Sequence, residues 1–298
     1  MAHGYRLWAL GFRLLAVGFV SSAVIVSVEP RVMSAQTSQP REASVDLPGV
    51  HLAYTDTGGS GVPVVLLHAA TGSSRVWEYQ RPAFVARGFR VITYDRRGFG
   101  SSTIDPSGPQ PGTGADDLRG LLDHLRLDRV HLVGTAAGGF VAWDFALSFP
   151  DRLRSLVVAS SIGGVQDPEY LDLQRRLRPP EFAAMPPDIR ELGPSYRAAN
   201  REGWERWKEL EHTARPNGTP PAQTFRNTVT FAKLETIKVP TLLLTGDADM
   251  FAPPSVMRMF AARVKNSQAV VIPEAGHSAY WENPEAFNKA LLAFLARH

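Results

Sequence analysis

The chain contains no cysteine among its 298 residues, and this absence excludes several kinds of chemistry. Without a thiol there is no disulfide framework, no cysteine nucleophile and no cysteine-based metal or lipid-attachment site. The eight histidines show no His-x-x-x-His or similar metal spacing. The glycine-rich stretches do not follow a first strand with an acidic residue about twenty positions later, as dinucleotide binding requires. We therefore expect neither a metal nor an organic cofactor.

The chain also has no large excess of positive or negative charge. The formal net charge is only +3, and Arg6, Arg13 and Arg31 near the N-terminus account for most of it. Because no basic surface is concentrated anywhere else, a nucleic-acid partner is not expected. A hydrophobic content of 44% and a charged content of 20% are ordinary for a soluble protein of one domain with an insertion.

Long apolar runs are absent except near the N-terminus. Arg6 and Arg13 precede an apolar stretch over residues 14–28, which Glu29, Pro30 and Arg31 end. This stretch is shorter than the roughly twenty residues that span a membrane. Residues 1–35 are therefore predicted to be a signal peptide, and the mature protein to be periplasmic or secreted. An uncleaved N-terminal anchor is the alternative, and it is the only predicted contact with a membrane. Residues 36–47 are predicted to be a linker.

Short β-branched runs bounded by turn residues recur along the rest of the chain. Such runs are typical of buried parallel strands. Amphipathic stretches such as 117–125 lie between them and predict helices. The alternation predicts a parallel sheet with helices on both faces, whose ligands bind beyond the carboxyl ends of the strands. The predicted strands are 63–67, 90–94, 130–133, 155–159, 241–245 and 268–272.

One motif lacks its central residue. Residues 130–139 run from a strand through a glycine-rich turn into a helix, with the spacing of the Gly-x-Ser-x-Gly nucleophile elbow. Gly134 and Gly138 occupy the positions where close backbone packing leaves no room for a side chain. Ala136 stands where the serine belongs, and a methyl group cannot attack a carbonyl carbon.

Together with this elbow, four further segments resemble the capped, AB hydrolase-1 type of α/β-hydrolase across residues 48–298. Residues 64–70 resemble the third strand and its oxyanion turn, and 91–102 the Asp-x-Arg-Gly-x-Gly-x-Ser loop. Residues 241–249 resemble the acid-bearing strand, and 272–278 the histidine loop. The order elbow, acid, histidine is that of the family. The resemblance implies a mostly parallel eight-stranded sheet with helices on both faces, a core of 48–161 and 237–298, and a helical cap at 162–236.

The resemblance also implies the catalytic residues. Asp249 corresponds to the acid and His277 to the base, with Asp247 as the alternative acid, and Ala136 marks the substituted nucleophile position. A carboxylate of this kind fixes the tautomer of the imidazole and stabilises its protonated form, which favours a base that works near neutral pH. Thr135, Ser160, Ser161 and Ser278 carry hydroxyls near these motifs, but none lies in an activating pattern.

The remaining site residues follow from the same resemblance. The backbone N–H groups of Ala70 and Ala137 correspond to the oxyanion hole, and a backbone donor is unaffected by the alanine at 136. Ala69 departs from the glycine of the family in the oxyanion turn. Thr71 near the rim, and Trp204 and Trp207 in the cap, are candidates for substrate binding.

These residues predict an enzyme in which an aspartate–histidine dyad acts on a small organic ester, lactone or ketone without a serine nucleophile. The dyad would activate water or act as a general base, and lyase or isomerase chemistry belongs to the same hypothesis. Two alternatives remain open: a pseudoenzyme that binds an apolar ligand or a partner under the cap, and a serine hydrolase carrying a Ser→Ala change at 136. The few basic residues in the motif loops argue against a phosphorylated substrate. The oligomeric state is not indicated.

Overall fold

The computed structural model of the protein describes Met1 and residues 40–298. The predicted leader, residues 1–35, lies outside these residues, so export stays a prediction. Within the described residues no helix is both long and apolar enough to cross a membrane. The same residues contain no group of three or more histidine, aspartate or glutamate side chains placed to hold a metal ion.

Nine strands in residues 40–298 form one sheet, and helices lie between and after them. The strands are β1 (Arg41–Leu47), β2 (Val50–Asp56), β3 (Pro63–Leu67), β4 (Arg90–Tyr94), β5 (Thr103–Ile104), β6 (Val130–Thr135), β7 (Leu153–Ala159), β8 (Thr241–Gly246) and β9 (Ser267–Ile272). The helices are α1 (Gln80–Val85), α2 (Gly114–His124), α3 (Ala137–Ser148), α4 (Pro168–Leu177), α5 (Pro180–Ala184), α6 (Pro187–Glu191), α7 (Pro194–Ala199), α8 (Arg201–Thr213), α9 (Phe231–Leu234), α10 (Pro254–Arg263), α11 (Ala279–Glu282) and α12 (Pro284–Leu295).

The sheet is mostly parallel, as the sequence predicts. Its strand order is β1-β2-β4-β3-β6-β7-β8-β9. The pairs β1–β2 and β2–β4 are antiparallel, and every pair from β4 to β9 along this path is parallel. The predicted run of eight strands is confirmed, and the two-residue β5 adds a ninth strand that pairs with β2.

The predicted linker at 36–47 is wrong over its second half, because β1 occupies Arg41–Leu47 and pairs with β2 along its whole length. Ala43, Val45 and Leu47 pack against the core while the residues between them are exposed. This period of two is the signature of an edge strand with one solvent face. The signal is present in the sequence, but three small or medium apolar residues in a polar stretch make it weak.

The parallel strands are apolar throughout because both faces of the sheet are covered. In β3, Val65 and Leu67 belong to one buried cluster, whereas Val64 and Leu66 belong to the other. The first cluster includes side chains of α2, α3 and α10, and the second includes side chains of α1, α11 and α12. The strand ends of β6, β8 and β9 therefore rest on a rigid two-sided core, and the site residues follow directly after these ends.

The segment between β7 and β8, residues 162–236, is largely helical. The sequence predicts one helix over 188–200, but Gly193 and Pro194 divide it into α6 and α7. Tyr196 and Trp207 belong to the buried cluster that contains Trp281. The segment therefore packs against the core next to the histidine loop, which carries α11.

Candidate active site

The elbow keeps its strained geometry without a serine. Ala136 has φ of 48° and ψ of −116°, a conformation that costs about 1–3 kcal/mol in a residue with a Cβ atom. Its N–H donates to the carbonyl of Ala159 at 2.9 Å, and its carbonyl accepts from Ser161 Oγ at 2.7 Å. Helix α3 begins at the next residue. The surrounding strand ends thus hold a turn that would present a nucleophile, although the side chain is only a methyl group.

The two glycines of the elbow have the packing role predicted for them. A Cβ atom on Gly134 would lie 2.5 Å from the carbonyl oxygen of Gly138. A Cβ atom on Gly138 would lie 2.4 Å from the carbonyl oxygen of Leu67, at the end of β3. Real side chains do not tolerate such distances, so both positions require glycine.

Asp249 and His277 form a buried pair beyond the ends of β8 and β9. His277 Nδ1 lies 2.9 Å from Asp249 Oδ1 and 3.0 Å from Oδ2. Asp249 also accepts from the backbone N–H groups of Phe251 at 2.8 Å and Ala252 at 2.9 Å. These bonds fix the carboxylate and leave Nε2 as the free nitrogen of the ring. Asp247 instead accepts from Ala275 N at 3.3 Å, so the structure pairs Asp249 with the histidine.

Two further carboxylates, which the sequence motifs do not include, lie near His277. Glu191 at the end of α6 is only 6% exposed, and its Oε2 has no hydrogen-bond partner among the described residues. Glu282 Oε2 accepts from the backbone N–H groups of Gly193 at 2.6 Å and Gly276 at 2.9 Å. Neither glutamate belongs to a recognisable sequence pattern. Glu282 follows His277 on α11, whereas the proximity of Glu191 to the histidine depends on how residues 162–236 pack against the loop after β9.

These carboxylates control the charge of the histidine. Burial by itself would lower the pKa of His277, but the charges of Asp249, Glu191 and Glu282 raise the pKa to about 9. Burial likewise works against Asp249, yet the charge of His277 keeps the pKa of that carboxyl below its usual value. Burial raises the pKa of Glu191, and it raises the pKa of Glu282 to about 7. The raised pKa favours the protonated ring into the alkaline range, whereas the sequence predicts a base that works near neutral pH.

The two predicted oxyanion donors meet at one cavity. Ala70 and Ala137 both line a space of about 260 Å³ between the elbow, the loop after β4 and residues 215–225. Within residues 40–298, no turn, loop or cap hydrogen bond between backbone groups uses the N–H of either alanine. Gly138 packs directly against the backbone of Leu67 and His68 at the end of β3. The start of α3 therefore lies close to the turn that carries Ala70. Both N–H groups are therefore available to an oxyanion.

His68 supports this turn and takes no part in proton transfer. Its Nδ1 lies 2.7 Å from the carbonyl of Ala69, and its Nε2 accepts from the backbone N–H of Arg96 at 3.0 Å. Burial and the charge of Arg96 hold the pKa of His68 well below its usual range, so the ring is neutral. The imidazole thus ties the oxyanion turn, with its unusual Ala69, to the loop after β4.

The three predicted substrate-binding residues, Thr71, Trp204 and Trp207, have different surroundings and none of them lines the cavity at Ala70 and Ala137. The Thr71 hydroxyl is buried, has no hydrogen-bond partner among the described residues, and lies near Glu191. Trp204 Nε1 donates to Asp188 Oδ2 at 2.8 Å, and Trp207 is buried in the cluster on one face of the sheet. Neither tryptophan lines the cavity at Ala70 and Ala137. Their assignment as binding residues stays a prediction that this cavity does not support.

No hydroxyl group in the described residues hydrogen-bonds to His277, whose partner is Asp249. Ser160, just after β7, has φ of 46° and an unpartnered buried Oγ. Ser161 Oγ is occupied by the carbonyl of Ala136 at 2.7 Å. The hydroxyl of Thr135 is buried without a partner. The pairing of a hydroxyl with the base, which activates a serine nucleophile, is thus not formed.

The ring of Phe251 packs against the ring of His277. Its ring centroid lies 4.3 Å from that of His277, with the planes tilted by 36°. The same phenylalanine lines a groove of about 620 Å³ that α4 and α5 form on the outside. Phe251 thus separates the histidine from this groove. No sequence motif indicates the position, because it lies two residues beyond the acid in an ordinary turn.

Comparison with known proteins agrees with this fold. The family model for the alpha/beta hydrolase family matches residues 64–290, which is more than half of the chain. The chain therefore belongs to the α/β-hydrolase family, and the fold class predicted from the sequence is confirmed.

Individual relatives support a hydrolase. A 2-hydroxy-6-oxononadienedioate/2-hydroxy-6-oxononatrienedioate hydrolase of Paraburkholderia phymatum is 31% identical over 273 residues, covering 82% of this chain and 90% of that protein. A putative carbamate hydrolase of Caulobacter is 33% identical over 247 residues, covering 78% and 90%. The solved structure of a thermophilic esterase from Thermogutta terrifontis is 32% identical, with a TM-score of 0.72, covering 87% of this chain and 99% of the esterase.

Proposed function

We propose that the protein hydrolyses small organic esters, lactones or ketones with the Asp249–His277 dyad and without a serine nucleophile. The observation that carries this proposal is the intact Asp249–His277 pair in a chain that keeps the elbow turn but has Ala136 at its nucleophile position. A pure binding protein has no need for a buried aspartate–histidine pair. Two of the relatives are named as an esterase and as a hydrolase of a 2-hydroxy-6-oxo-dioate, and an ester and a ketone are among the substrates proposed here.

In the proposed mechanism, water replaces the serine. His277 Nε2 takes a proton from a water molecule, whose oxygen attacks the substrate carbonyl carbon. The oxyanion that forms accepts hydrogen bonds from the N–H groups of Ala70 and Ala137. The bond to the leaving group then breaks, and the leaving group receives the proton from His277. Asp249 holds the Nδ1–H throughout and stabilises the ring while it is positively charged.

The missing nucleophile restricts the substrates. General-base catalysis contributes about 10²–10⁴-fold, and loss of the nucleophile from a serine triad costs about a million-fold in kcat. A dyad enzyme therefore suits activated esters, lactones, or carbon–carbon bonds next to a ketone, and it does not suit amides. Residues 162–236 act in this proposal as a cap that limits the access of bulk water. Support for the cap comes from Glu191, which this segment places beside His277.

The test of the proposed function is turnover by the full-length protein on activated esters, lactones and β-diketones in the presence of a fluorophosphonate. We expect turnover of at least one class, no covalent label on the protein and no inhibition. The Ala136→Ser variant, which regains a hydroxyl at the elbow, is expected to be labelled and serves as the control for the reagent. Stoichiometric labelling and inactivation of the wild-type protein would contradict a mechanism without a nucleophile.

The raised pKa of His277 predicts an alkaline pH dependence. The working form of the ring is deprotonated, so kcat/KM should be low at pH 7, pass through half of its maximum near pH 9, and level off above that pH. Replacement of Glu191 by glutamine removes a negative charge that stabilises the imidazolium. The pKa of His277 then falls, and the rising part of the profile moves to lower pH.

The matched control for this prediction is Glu202→Gln, which removes an exposed carboxylate from α8. Its profile should overlay that of the wild type. Profiles measured at constant ionic strength that coincide for wild type and Glu191→Gln would show that the Glu191 carboxylate does not act on His277.

A further inference from the structure

The cavity beside the two oxyanion donors contains a guanidinium group without a partner. Arg96, in the loop after β4, lines this cavity together with Ala70 and Ala137. Its guanidinium carbon lies 4.6 Å from the centroid of the Phe99 ring, which holds the side chain in place. The Nε and Nη2 atoms are inaccessible to solvent and have no hydrogen-bond partner among the described residues.

The other charged side chains that line the cavity are already paired. Arg97 Nε donates to Asp117 Oδ2 at 2.7 Å, and Arg215 pairs with Glu211. Asp144 accepts from the backbone N–H groups of Arg226 at 2.8 Å and of Asn227 at 3.0 Å. Within residues 40–298, Arg96 is therefore the charged residue of this cavity whose side chain has neither an ion pair nor a hydrogen bond.

A buried guanidinium without a counter-charge is unfavourable, because the group has lost its hydration without gaining an ionic partner. Burial lowers the pKa of Arg96 to about 10, so the group is still positively charged at neutral pH. Such an arrangement in a substrate cavity is stable when the ligand itself brings the negative charge. Charge-assisted hydrogen bonds from a guanidinium to a carboxylate are among the stronger ones in proteins. Because Nε and Nη2 are inaccessible while Arg96 as a whole is only half-buried, Nη1 is the nitrogen left to donate to such a ligand.

We propose that the substrate carries a carboxylate that binds Arg96 while its reacting carbonyl accepts hydrogen bonds from the N–H groups of Ala70 and Ala137. This inference rests on the proposed function and specifies its substrate class. One guanidinium matches a singly charged carboxylate better than a doubly charged phosphate. Phe140, Val141 and Phe225 give the same cavity an apolar wall, which suits a short hydrocarbon chain between the two groups. A volume of about 260 Å³ limits the substrate to a small acid.

The kinetic test compares each substrate acid with its neutral methyl ester or amide, keeping the reacting group the same. For Arg96→Gln we expect kcat/KM to fall about 10–100-fold for the acid and to change about twofold or less for the neutral analogue. Arg96→Lys, which keeps the charge but not the planar fork, should recover part of the activity toward the acid. Arg226→Gln is the matched control, because Arg226 pairs with Asp116 at 2.8 Å outside the cavity. An equal loss for acid and neutral substrates, or the same loss in Arg226→Gln, would overturn the proposal.

A binding measurement separates this inference from the proposed function. Succinate, glutarate and adipate should raise the Tm of the wild-type protein and of Arg226→Gln in a concentration-dependent way, and they should leave Arg96→Gln unshifted. The corresponding neutral diols should leave the Tm of the wild type, Arg226→Gln and Arg96→Gln unchanged. Dicarboxylate binding that requires Arg96 in a protein without turnover supports this inference and contradicts the proposed function. Turnover without preference for acids, and without dicarboxylate binding, overturns this inference alone.

Discussion

Replacing His277 with alanine is expected to lower kcat by about 10²–10⁴-fold on the best substrate of the protein. The ring is the base that the proposed mechanism uses, and its Nδ1 lies 2.9 Å from Asp249 Oδ1. Without it, the proposed attacking water keeps its proton, and the leaving group loses its proton donor. The oxyanion donors of Ala70 and Ala137 remain, so substrate binding should change less than turnover.

Steady-state kinetics of the wild-type protein, His277→Ala and Asp249→Asn measure this effect. Asp249→Asn is expected to lose activity by a similar factor, because an asparagine cannot stabilise the positively charged ring and favours the wrong tautomer. His212→Ala is the matched control, since His212 is exposed on α8. Equal turnover in wild type and His277→Ala would contradict the dyad mechanism and would favour a protein that only binds its ligand.

Replacing Arg97 with methionine is expected to lower the free energy of unfolding by about 3–5 kcal/mol, the range for removing one partner of a buried ion pair. Arg97 is 5% exposed, and two of its nitrogens donate to the carboxylate of Asp117 at 2.7 and 2.8 Å. The guanidinium also donates to the carbonyls of Pro48 at 2.6 Å, Gly49 at 3.1 Å and Pro109 at 3.2 Å. The substitution leaves a buried carboxylate and several carbonyls without their donor.

Denaturant unfolding followed by tryptophan fluorescence measures the loss. Arg176→Met is the matched control, because Arg176 and its partner Asp172 are 70% and 51% exposed, and exposed pairs contribute about 1 kcal/mol or less. The double substitution Arg97→Met with Asp117→Leu should regain part of the stability, since no charge is then left buried without a partner. A loss in Arg97→Met no larger than in Arg176→Met would show that the buried network contributes little to stability.

Arg97 and Arg96 are neighbours in the loop after β4, so a substitution that destabilises this loop can also change the position of Arg96 in the cavity. Arg97 ties this loop to α2 and to the β1–β2 turn, while the backbone N–H of Arg96 donates to His68. Loss of the Arg97 contacts should therefore disturb the cavity as well as the stability. For this reason the function of Arg96 is tested by changes at Arg96 itself, with the Arg97 pair intact.

The strands and the elbow could be predicted from the sequence because their causes are local. A buried parallel strand requires apolar residues on both faces, so β3 and β4 begin and end where their apolar runs do. The backbone approach at Gly134 and Gly138 admits no Cβ atom, and the requirement is visible in the residue type. The strands β1 and β2 were not located in the sequence, because an antiparallel strand that is partly exposed has a weaker apolar pattern, and β5 has only two residues.

The sequence by itself thus determined the family, the sheet, and the positions of Ala136, Asp249 and His277 in their motifs. Only the tertiary structure decided the charge state of His277, because the carboxylates that raise its pKa come from three separate segments and act through space. It also decided that the Arg96 side chain has no hydrogen-bond partner in residues 40–298, whereas its neighbour Arg97 is paired with Asp117. Burial and distance between remote segments control both properties, and neither quantity is encoded in the local pattern of residues.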